Sequence, residues 1–409
     1  MTVSATTFER RLRRRMTEMT VDDVVSAVEQ FLAEHDPAST PRLEFLRARF
    51  DAGLAVVHFP VGCGGLGAEP ALQGVVDRAF AAAGAPDNAP GQNVIGLGMA
   101  APVIVEYGSP EQRARWLRPL WTGEEIWCQL FSEPSAGSDL AALATRAVRD
   151  GTDWVVDGQK VWTSLAHRSR WALLIARTDP SVPKHRGLTY FVCDMQAEGV
   201  DVRALRQMTG EAEFNEVFLD GVRVPDTQRL GDVGAGWRVT QSTLMNERVT
   251  IGAEAVPREG GPIGRVADLW RAADARRTPG SFDALMRLWV EAETMRLTTE
   301  RLRQQAVAGT PGPEGSGSKL AFADLAQRAS SLELDILGAD GLRYDDWTFR
   351  RPDLDDENRP SGFRFLRTKG NSIEGGTSEI MRNIIAERVL GLPAEARTDT
   401  TIPWNELPR

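Results

Sequence analysis

Two glutamates in the C-terminal half of the chain have surroundings in which a carboxylate could act as a base. Glu247 lies in "TLMNERVTIG", where apolar residues at helical spacing predict a helix, and Glu374 lies in "SIEGGTSE", between predicted helices. A carboxylate that is removed from water gains basicity, which suits the abstraction of a weakly acidic proton. The pattern alone favours the simpler interpretation, a surface glutamate paired with Arg248 or another arginine.

A serine-rich stretch, "QLFSEPSAGSDLAALATRA", has the composition of a ligand-binding loop. Small residues surround Ser132 and Ser138 and let a ligand approach the backbone, while the hydroxyl groups both donate and accept hydrogen bonds. A loop that merely caps a helix explains the same residues equally well.

A second stretch, "GQKVWTSLAH", could hold one face of a planar ligand. Trp162 offers a flat apolar surface, and Ser164 follows two residues later. Because side chains alternate along a strand, we expect both to lie on the same side of it. Ordinary packing of a strand tryptophan is the simpler interpretation of this stretch taken alone.

Three groups of predicted elements must position these residues. Helices with an N-terminal threonine or serine cap are predicted from about residue 20 to 120, as in "TVDDVVSAVEQFLAEHD" and "SPEQRARWLRPLWTGE". Short strands follow to about residue 232, with a hairpin turning at Asp157-Gly158 inside "TDWVVDGQKVWTS". Helices return from about residue 236, interrupted by a flexible loop at "TPGPEGSGS"; the last helix starts near Ser378.

Composition excludes several classes of function. The 409 residues carry a net charge of -9, which argues against a nucleic-acid binder or a polybasic membrane binder. The cysteines Cys63, Cys128 and Cys193 are scattered, which argues for a reducing compartment and against a metal site. No apolar stretch is long enough to span a bilayer and no signal peptide opens the chain, so we expect a cytoplasmic protein; the basic run at residues 10–15 is interpreted as an exposed helical start.

Taken together, these stretches resemble the acyl-CoA dehydrogenase family of flavoproteins over nearly the whole chain. "CQLFSEPSAGSDLAALATRA" is similar to its flavin-binding signature, "GQKVWTS" to its flavin-flanking strand, "EFNEVFLDGVRVP" to the strand before its second helical domain, and "IEGGTSEIMRNIIAERVLGLP" to its C-terminal signature. The resemblance implies a mainly α fold with a central β domain. The expected parts are an N-terminal helical domain (1–125), a middle β-barrel-like domain (126–234), a C-terminal four-helix bundle (235–395) and a tail (396–409).

The resemblance also implies a cofactor, a reaction and partners. FAD is the expected cofactor, and the matching positions are Gln129, Leu130, Phe131, Ser132, Gly137, Ser138, Trp162, Ser164, Thr377 and Glu379. The implied reaction is α,β-dehydrogenation of an acyl-CoA thioester to the 2-enoyl-CoA, with electrons passed to an electron-transferring flavoprotein. The implied substrate contacts are Ser138, Arg248 and Glu374. A homodimer or homotetramer is expected. The alternatives are an FAD-poor scaffold subunit of a heteromeric enzyme and an oxygen-using oxidase or monooxygenase of the same fold.

The chain departs from the commonest family pattern at the base. Aligned on Gly376-Thr377, it has Gly375 at the usual base position and Glu374 one residue early. A minority of members, including isovaleryl-type enzymes, keep the base on a helix, and Glu247 matches that position. We therefore predict Glu247 as the base and the Gly375 backbone N–H as a donor to the thioester oxygen. The missing side chain at Gly375 leads us to expect branched or bulky acyl groups.

A second departure concerns the adenine side of the cofactor. The family's arginine-phenylalanine-glycine motif has no counterpart in "PREGGPIG", and Asp335 replaces the usual glutamine. Arg258 is the candidate substitute for the missing arginine.

Overall fold

The structure is a computed structural model that describes residues 19–252, 257–273, 277–307, 313–344, 347–349, 359–397 and 399–407; over 248–252 and 306–307 only the backbone is described. The basic run at residues 10–15 lies outside these residues. The chain forms two compact units, Met1–Trp127 and Cys128–Arg409.

The first unit is helical, as predicted. Its helices are α1 (Val21–Glu34), α2 (Arg42–Asp51), α3 (Gln73–Ala82), α4 (Ala101–Tyr107) and α5 (Pro110–Trp121). Thr20 caps α1 and Ser109 caps α5, each through a reciprocal pair of hydrogen bonds with the residue three positions later. Phe31, Phe45 and Phe80 pack edge to face in the core of this unit.

The second unit begins with a β-sheet. Its strands are β1 (Trp127–Leu130), β2 (Arg146–Asp150), β3 (Asp153–Ser164), β4 (Trp171–Arg177), β5 (Leu188–Asp194), β6 (Val200–Ala204), β7 (Phe214–Pro225) and β8 (Arg229–Leu230). The strand order is β6-β7-β3-β2-β4-β5-β8, with β1 beside β4. Nearly every residue of β4 and β5 is buried, so these two strands form the centre of the β core.

The predicted hairpin at Asp157-Gly158 is wrong. β3 continues through this dipeptide, with a shift in its register to β7 between Val156 and Gly158. The turn that joins β2 to β3 lies at Gly151, which has a φ of +61°. Gly158 serves a different purpose, since a Cβ at this position would collide with the side chain of Thr145. The glycine therefore marks a close approach of two chain segments rather than a turn.

The second unit ends in helices around one central helix. They are α6 (Gly236–Gly252), α7 (Gly261–Ala272), α8 (Pro279–Val307), α9 (Gly315–Leu337), α10 (Ser361–Arg367) and α11 (Ser378–Ile384). α9 packs against each of the others, and α6 also packs on β5. α9 begins at Gly315, inside the predicted flexible loop, and Ser316 in its first turn is buried. Among the described residues, no helix is both long and apolar enough to cross a bilayer.

Candidate active site

The serine-rich stretch is fixed to β3 by buried hydrogen bonds. The Val161 N–H donates to the Ser132 carbonyl over 2.9 Å, and Lys160 Nζ donates to the Phe131 carbonyl over 2.9 Å. Lys160 is fully buried and also contacts Glu133 Oε1 at 2.9 Å. The two stretches predicted to hold a planar ligand are therefore joined directly.

Glu133 is the anion that makes this arrangement stable. Its carboxylate accepts hydrogen bonds from the backbone N–H groups of Ala144 (2.7 Å) and Thr145 (2.9 Å) as well as from Lys160. Burial by itself raises the pKa of Glu133, but Lys160 and these hydrogen bonds outweigh burial and hold the pKa below its ordinary value. Sequence reasoning missed this pair, although a lysine between apolar strand residues was a detectable signal.

Trp162 occupies a β-bulge next to this buried pair. The register between β3 and β7 shifts between Lys160 and Thr163, and Trp162 has a φ of +60°, a conformation that costs a bulky residue on the order of 1–3 kcal/mol. The side chain is 58% exposed and its ring centroid lies 5.8 Å from that of Phe214. Trp162 is exposed and Ser164 half-buried, with buried Thr163 between them, so the burial pattern is consistent with the alternation predicted for this pair. A strained, exposed tryptophan is typical of a ligand contact.

Glu247 lies on α6 in a position that faces the β domain. It is 9% exposed, and Thr243, one turn earlier, shares a 2.9 Å hydrogen bond with the hydroxyl of Tyr190 on β5. The Tyr190 ring packs edge to face on Phe131, 5.9 Å away, inside the serine-rich stretch. Since residues four apart lie on one helix face, Glu247 is on the side of α6 that is directed to this stretch.

Glu374 has a different environment. The guanidinium group of Arg367 binds its two carboxylate oxygens at 3.0 Å each, and Arg367 Nε also lies 3.5 Å from Glu213. Burial is the main cause that raises the pKa of Glu213, with Glu374 and Glu211 adding to it against the attraction of Arg367. Each carboxylate oxygen of Glu374 thus accepts one hydrogen bond from Arg367.

Lys319 of α9 connects the loop around Glu374 to the bundle. Its Nζ donates to the Gly376 carbonyl over 2.6 Å, next to Gly375, whose φ is +64°. Burial lowers the pKa of Lys319, while the carboxylates of Glu374, Glu247 and Glu379 oppose this effect. Both candidate bases therefore lie within electrostatic range of one ammonium group.

Comparison with known proteins supplies the identity of the family. The models of the acyl-CoA dehydrogenase N-terminal, middle and C-terminal domains match residues 7–124, 128–222 and 234–390. The acyl-CoA dehydrogenase IpdE1 of Mycobacterium tuberculosis is 38% identical over 85% of this chain and 86% of its own length. The chain belongs to the acyl-CoA dehydrogenase family. The predicted fold class is confirmed with it.

Two further acyl-CoA dehydrogenases are similar to this chain. FadE34 of M. tuberculosis is 41% identical over 87% of this chain but only 47% of its own length, so the chain spans about half of that relative. A solved structure of a Tcur3481-Tcur3483 steroid ACAD variant is 25% identical, with a TM-score of 0.65 and coverage of 92% of this chain and 99% of that one.

Acyl-CoA dehydrogenases are flavoproteins that generally use FAD, and the residues present fit such a group. Within the described part of the chain, Gln129 Oε1 and Thr163 Oγ1 are buried and have no hydrogen-bond partner. Leu130 is buried and Ser132 and Ser164 are half-buried. A ring with polar edges beside the serine-rich stretch could supply a partner to the Gln129 oxygen, and its flat face suits the exposed indole of Trp162.

Other predicted positions lie at the edge of this site or away from it. Gly137 and Ser138 are exposed, and a Cβ on Gly137 would meet only open space. Thr377 caps α11 by accepting the Ile380 N–H, and Glu379 is exposed and ion-paired with Arg382 at 3.2 Å. The side chain of Arg248 is outside the described residues.

Arg258 and Asp335, the candidate positions for the adenine side, make no described contact with the residues of this site. The Arg258 guanidinium lies 5.1 Å from the ring centroid of Trp289, with its Nε 3.9 Å from Glu293. Asp335 is exposed on α9.

Proposed function

We propose that this chain catalyses the FAD-dependent α,β-dehydrogenation of an acyl-CoA thioester to the 2-enoyl-CoA, with Glu247 as the base. One observation carries the assignment. Glu247 is buried on the face of α6 that contacts Tyr190 and, through it, the serine-rich stretch, whereas the carboxylate of Glu374 is held at two points by Arg367. Reach toward the transferred proton ranks above pKa in the choice of a base.

The chain's own residues supply proton transfer and charge stabilisation. The carboxylate of Glu247 takes the proton from the carbon next to the thioester carbonyl, and its burial limits the access of water to it. The Gly375 N–H donates to the thioester oxygen as negative charge develops there. Lys319, bonded to the Gly376 carbonyl, fixes the loop that carries this donor. The bound FAD would supply the acceptor for the hydride from the neighbouring carbon.

The cofactor contacts remain those that the resemblance implies. The segment Gln129–Ser132 and the pair Trp162 and Ser164 would hold the flavin ring, Gly137 and Ser138 would contact the pyrophosphate and pantetheine, and Thr377 and Glu379 would complete the set. The orphaned oxygen of Gln129 and the strained backbone of Trp162 support the ring assignment. Ser138, Arg248 and Glu374 are the proposed substrate contacts.

The base assignment is tested by anaerobic bleaching of the flavin absorbance with acyl-CoA. We expect Glu247→Gln to reduce the bleaching rate by on the order of a thousandfold or more while substrate still perturbs the flavin spectrum. Glu374→Gln, the matched control, should retain the rate within about tenfold. Full bleaching at the normal rate by the Glu247 variant would overturn the assignment.

We propose bulky acyl groups as the substrate class. Gly375 has no side chain at the position where the family usually carries its glutamate base, and the steroid ACAD in the comparison supports a polycyclic acyl chain. The test is a panel of straight-chain, branched and steroid side-chain acyl-CoAs, compared by kcat/KM. A preference for straight chains would contradict this class, and Gly375→Ala should selectively impair the bulkiest substrate.

The proposed electron acceptor is an electron-transferring flavoprotein, as in the family that the chain resembles. The purified enzyme should form little peroxide in air and should reduce an electron-transferring flavoprotein during turnover. Stoichiometric peroxide would instead identify the oxygen-using alternative.

A second candidate function is that of one component in a two-part dehydrogenase. FadE34 is about twice as long as the region it shares with this chain. Helix α8 also carries exposed apolar residues at helical spacing: Phe282, Met286, Val290 and Leu297. Mass measurement in solution and the flavin content per chain separate a yellow homo-oligomer from a flavin-poor component that requires a partner.

A further inference from the structure

Residues 399–407 form a strap along the loop between β4 and β5. The Trp404 N–H donates to the Val182 carbonyl over 3.0 Å and the Asn405 N–H to the Pro180 carbonyl over 3.1 Å. Pro403 and Pro183 form a β-bridge next to these contacts. The strap is therefore hydrogen-bonded to the fold through its backbone.

The indole of Trp404 reaches past this loop to the chain that follows Ser138. Its Nε1 donates to the Ala142 carbonyl over 3.1 Å, and the guanidinium group of Arg177 lies 4.3 Å from its ring centroid. Arg177 is buried and donates to the carbonyls of Ala141 (2.6 Å) and Leu143 (3.1 Å). The indole of Trp404 thus packs on Arg177, which is hydrogen-bonded to residues 141 and 143, and also donates its own hydrogen bond to residue 142.

An ion-paired lysine makes the second connection. Lys184 is 2% exposed, and its Nζ pairs with Asp139 at 2.6 Å and with Asp399 of the strap. Asp139 follows Ser138 directly. The hydrogen bond from Lys184 is the main cause that lowers the pKa of Asp399 to about 2, so the strap carboxylate is ionised at neutral pH. Two strap side chains therefore act on the segment 137–143 from both of its ends.

We propose that the strap is a positioning element that holds residues 137–143 in the conformation that binds the cofactor pyrophosphate and the pantetheine of the substrate. Trp404 and Asp399 are its positioning residues, acting through Arg177 and Lys184. The proposal rests on the proposed function for the identity of these ligands. The connection between strap and loop rests on the contacts alone.

The test compares Trp404→Ala, Trp404→Phe and Asp399→Asn with Asn405→Ala, whose exposed side chain lies in the same strap. Hydrogen exchange of the peptide that contains residues 137–143 is measured on the protein as purified. Release of FAD is followed by flavin fluorescence, and kcat and KM by turnover. We expect Trp404→Ala to speed exchange and to raise the FAD dissociation constant and KM by about tenfold each, because it removes one hydrogen bond and one cation–π contact. We expect kcat to change less than about twofold.

The other variants keep the proposal falsifiable. Trp404→Phe keeps a ring over Arg177 and should give an intermediate effect, Asp399→Asn should raise exchange near Asp139, and Asn405→Ala should match the parent. Unchanged exchange at 137–143 in Trp404→Ala, or equal acceleration across β3 and β4, would overturn the proposal. Faster exchange with unchanged FAD release and KM would also overturn it, since the loop would then be held without serving the ligands. Failure of the proposed function appears separately, as absence of acyl-CoA bleaching in the parent enzyme.

Discussion

At the scale of single residues, the site is built from charges that are paired before any ligand arrives. Lys160 and Glu133 neutralise each other in the β core, and Arg367 occupies Glu374. Paired charges of this kind are costly to break one at a time, because the partner is left buried and alone. Positioning of the flavin-binding stretch thus depends on the pair more than on either residue.

The first prediction follows from that pair. Lys160→Met should lower the free energy of unfolding by about 3–5 kcal/mol, because Glu133 stays buried without its cation. Denaturant unfolding measures the change, and the double variant Lys160→Met with Glu133→Gln should recover part of it. A loss below about 1 kcal/mol in the single variant would show that the backbone N–H groups alone satisfy Glu133.

A second residue-scale prediction concerns the backbone of Trp162. Trp162→Ala and Trp162→Gly both remove the ring, but only glycine relaxes a φ of +60°. We expect the glycine variant to be more stable than the alanine variant by about 1 kcal/mol, and both to lose FAD affinity. Thermal unfolding and flavin titration measure the two effects. An alanine variant as stable as the glycine variant would show that the backbone at position 162 is not strained.

At the scale of elements, the contacts that organise the site join segments distant in sequence. Capped helices such as α5 and apolar strands such as β5 were predictable, since their signals are local. The bulge at Trp162 and the continuation of β3 through Asp157-Gly158 were not, because each involves a partner elsewhere in the chain, Ser132 or Thr145. The strap was not predicted for the same reason, since the residues of "TIPWNELPR" give no local signal of their contacts with Ala142 and Arg177.

The element-scale prediction concerns the stability of the fold at acidic pH and the role of His185, which lies next to Lys184. Burial, Lys184 and Arg397 lower the pKa of His185 against the opposing pull of Asp139 and Asp399, and its ring also contacts Trp237. A lowered folded-state pKa means that the unfolded chain binds the proton more tightly. Stability should therefore fall as pH drops below about 6.5 toward the folded-state value.

His185→Gln should lack this component. Between neutral pH and mild acid, the unfolding free energy of the parent should therefore fall more than that of the variant. A difference that is independent of pH over this window would rule out the assignment to His185.

At the scale of the whole molecule, the order of helices, β domain and helices follows from hydrophobic periodicity, and the family from the motifs in sequence order. The base assignment needed the resemblance and the structure together. The resemblance singled out Glu247, and only the packing of α6 showed that Glu247 is buried. The chain divides into two compact units, each with its own core.

The whole-molecule prediction uses the thiols as reporters of these units. Cys63 lies in the first unit and Cys128 and Cys193 in the second, all buried. Burial raises the pKa of Cys128 and Cys193 to about 12 and also raises that of Cys63. A thiol reagent at pH 8 should label none of them rapidly in the native protein and all three in denaturant. Rapid native labelling of Cys128 would contradict its place in the core.

The hydrogen bond between Trp404 and Ala142 joins positions 262 residues apart in the chain. At a synthesis rate of about 5–20 residues per second, the ribosome releases the two partners roughly 13 to 52 seconds apart. During that interval the loop after Ser138 exists without its indole cover. The binding loop of a new molecule is therefore among the last parts to acquire its final contacts, although its own residues are made early.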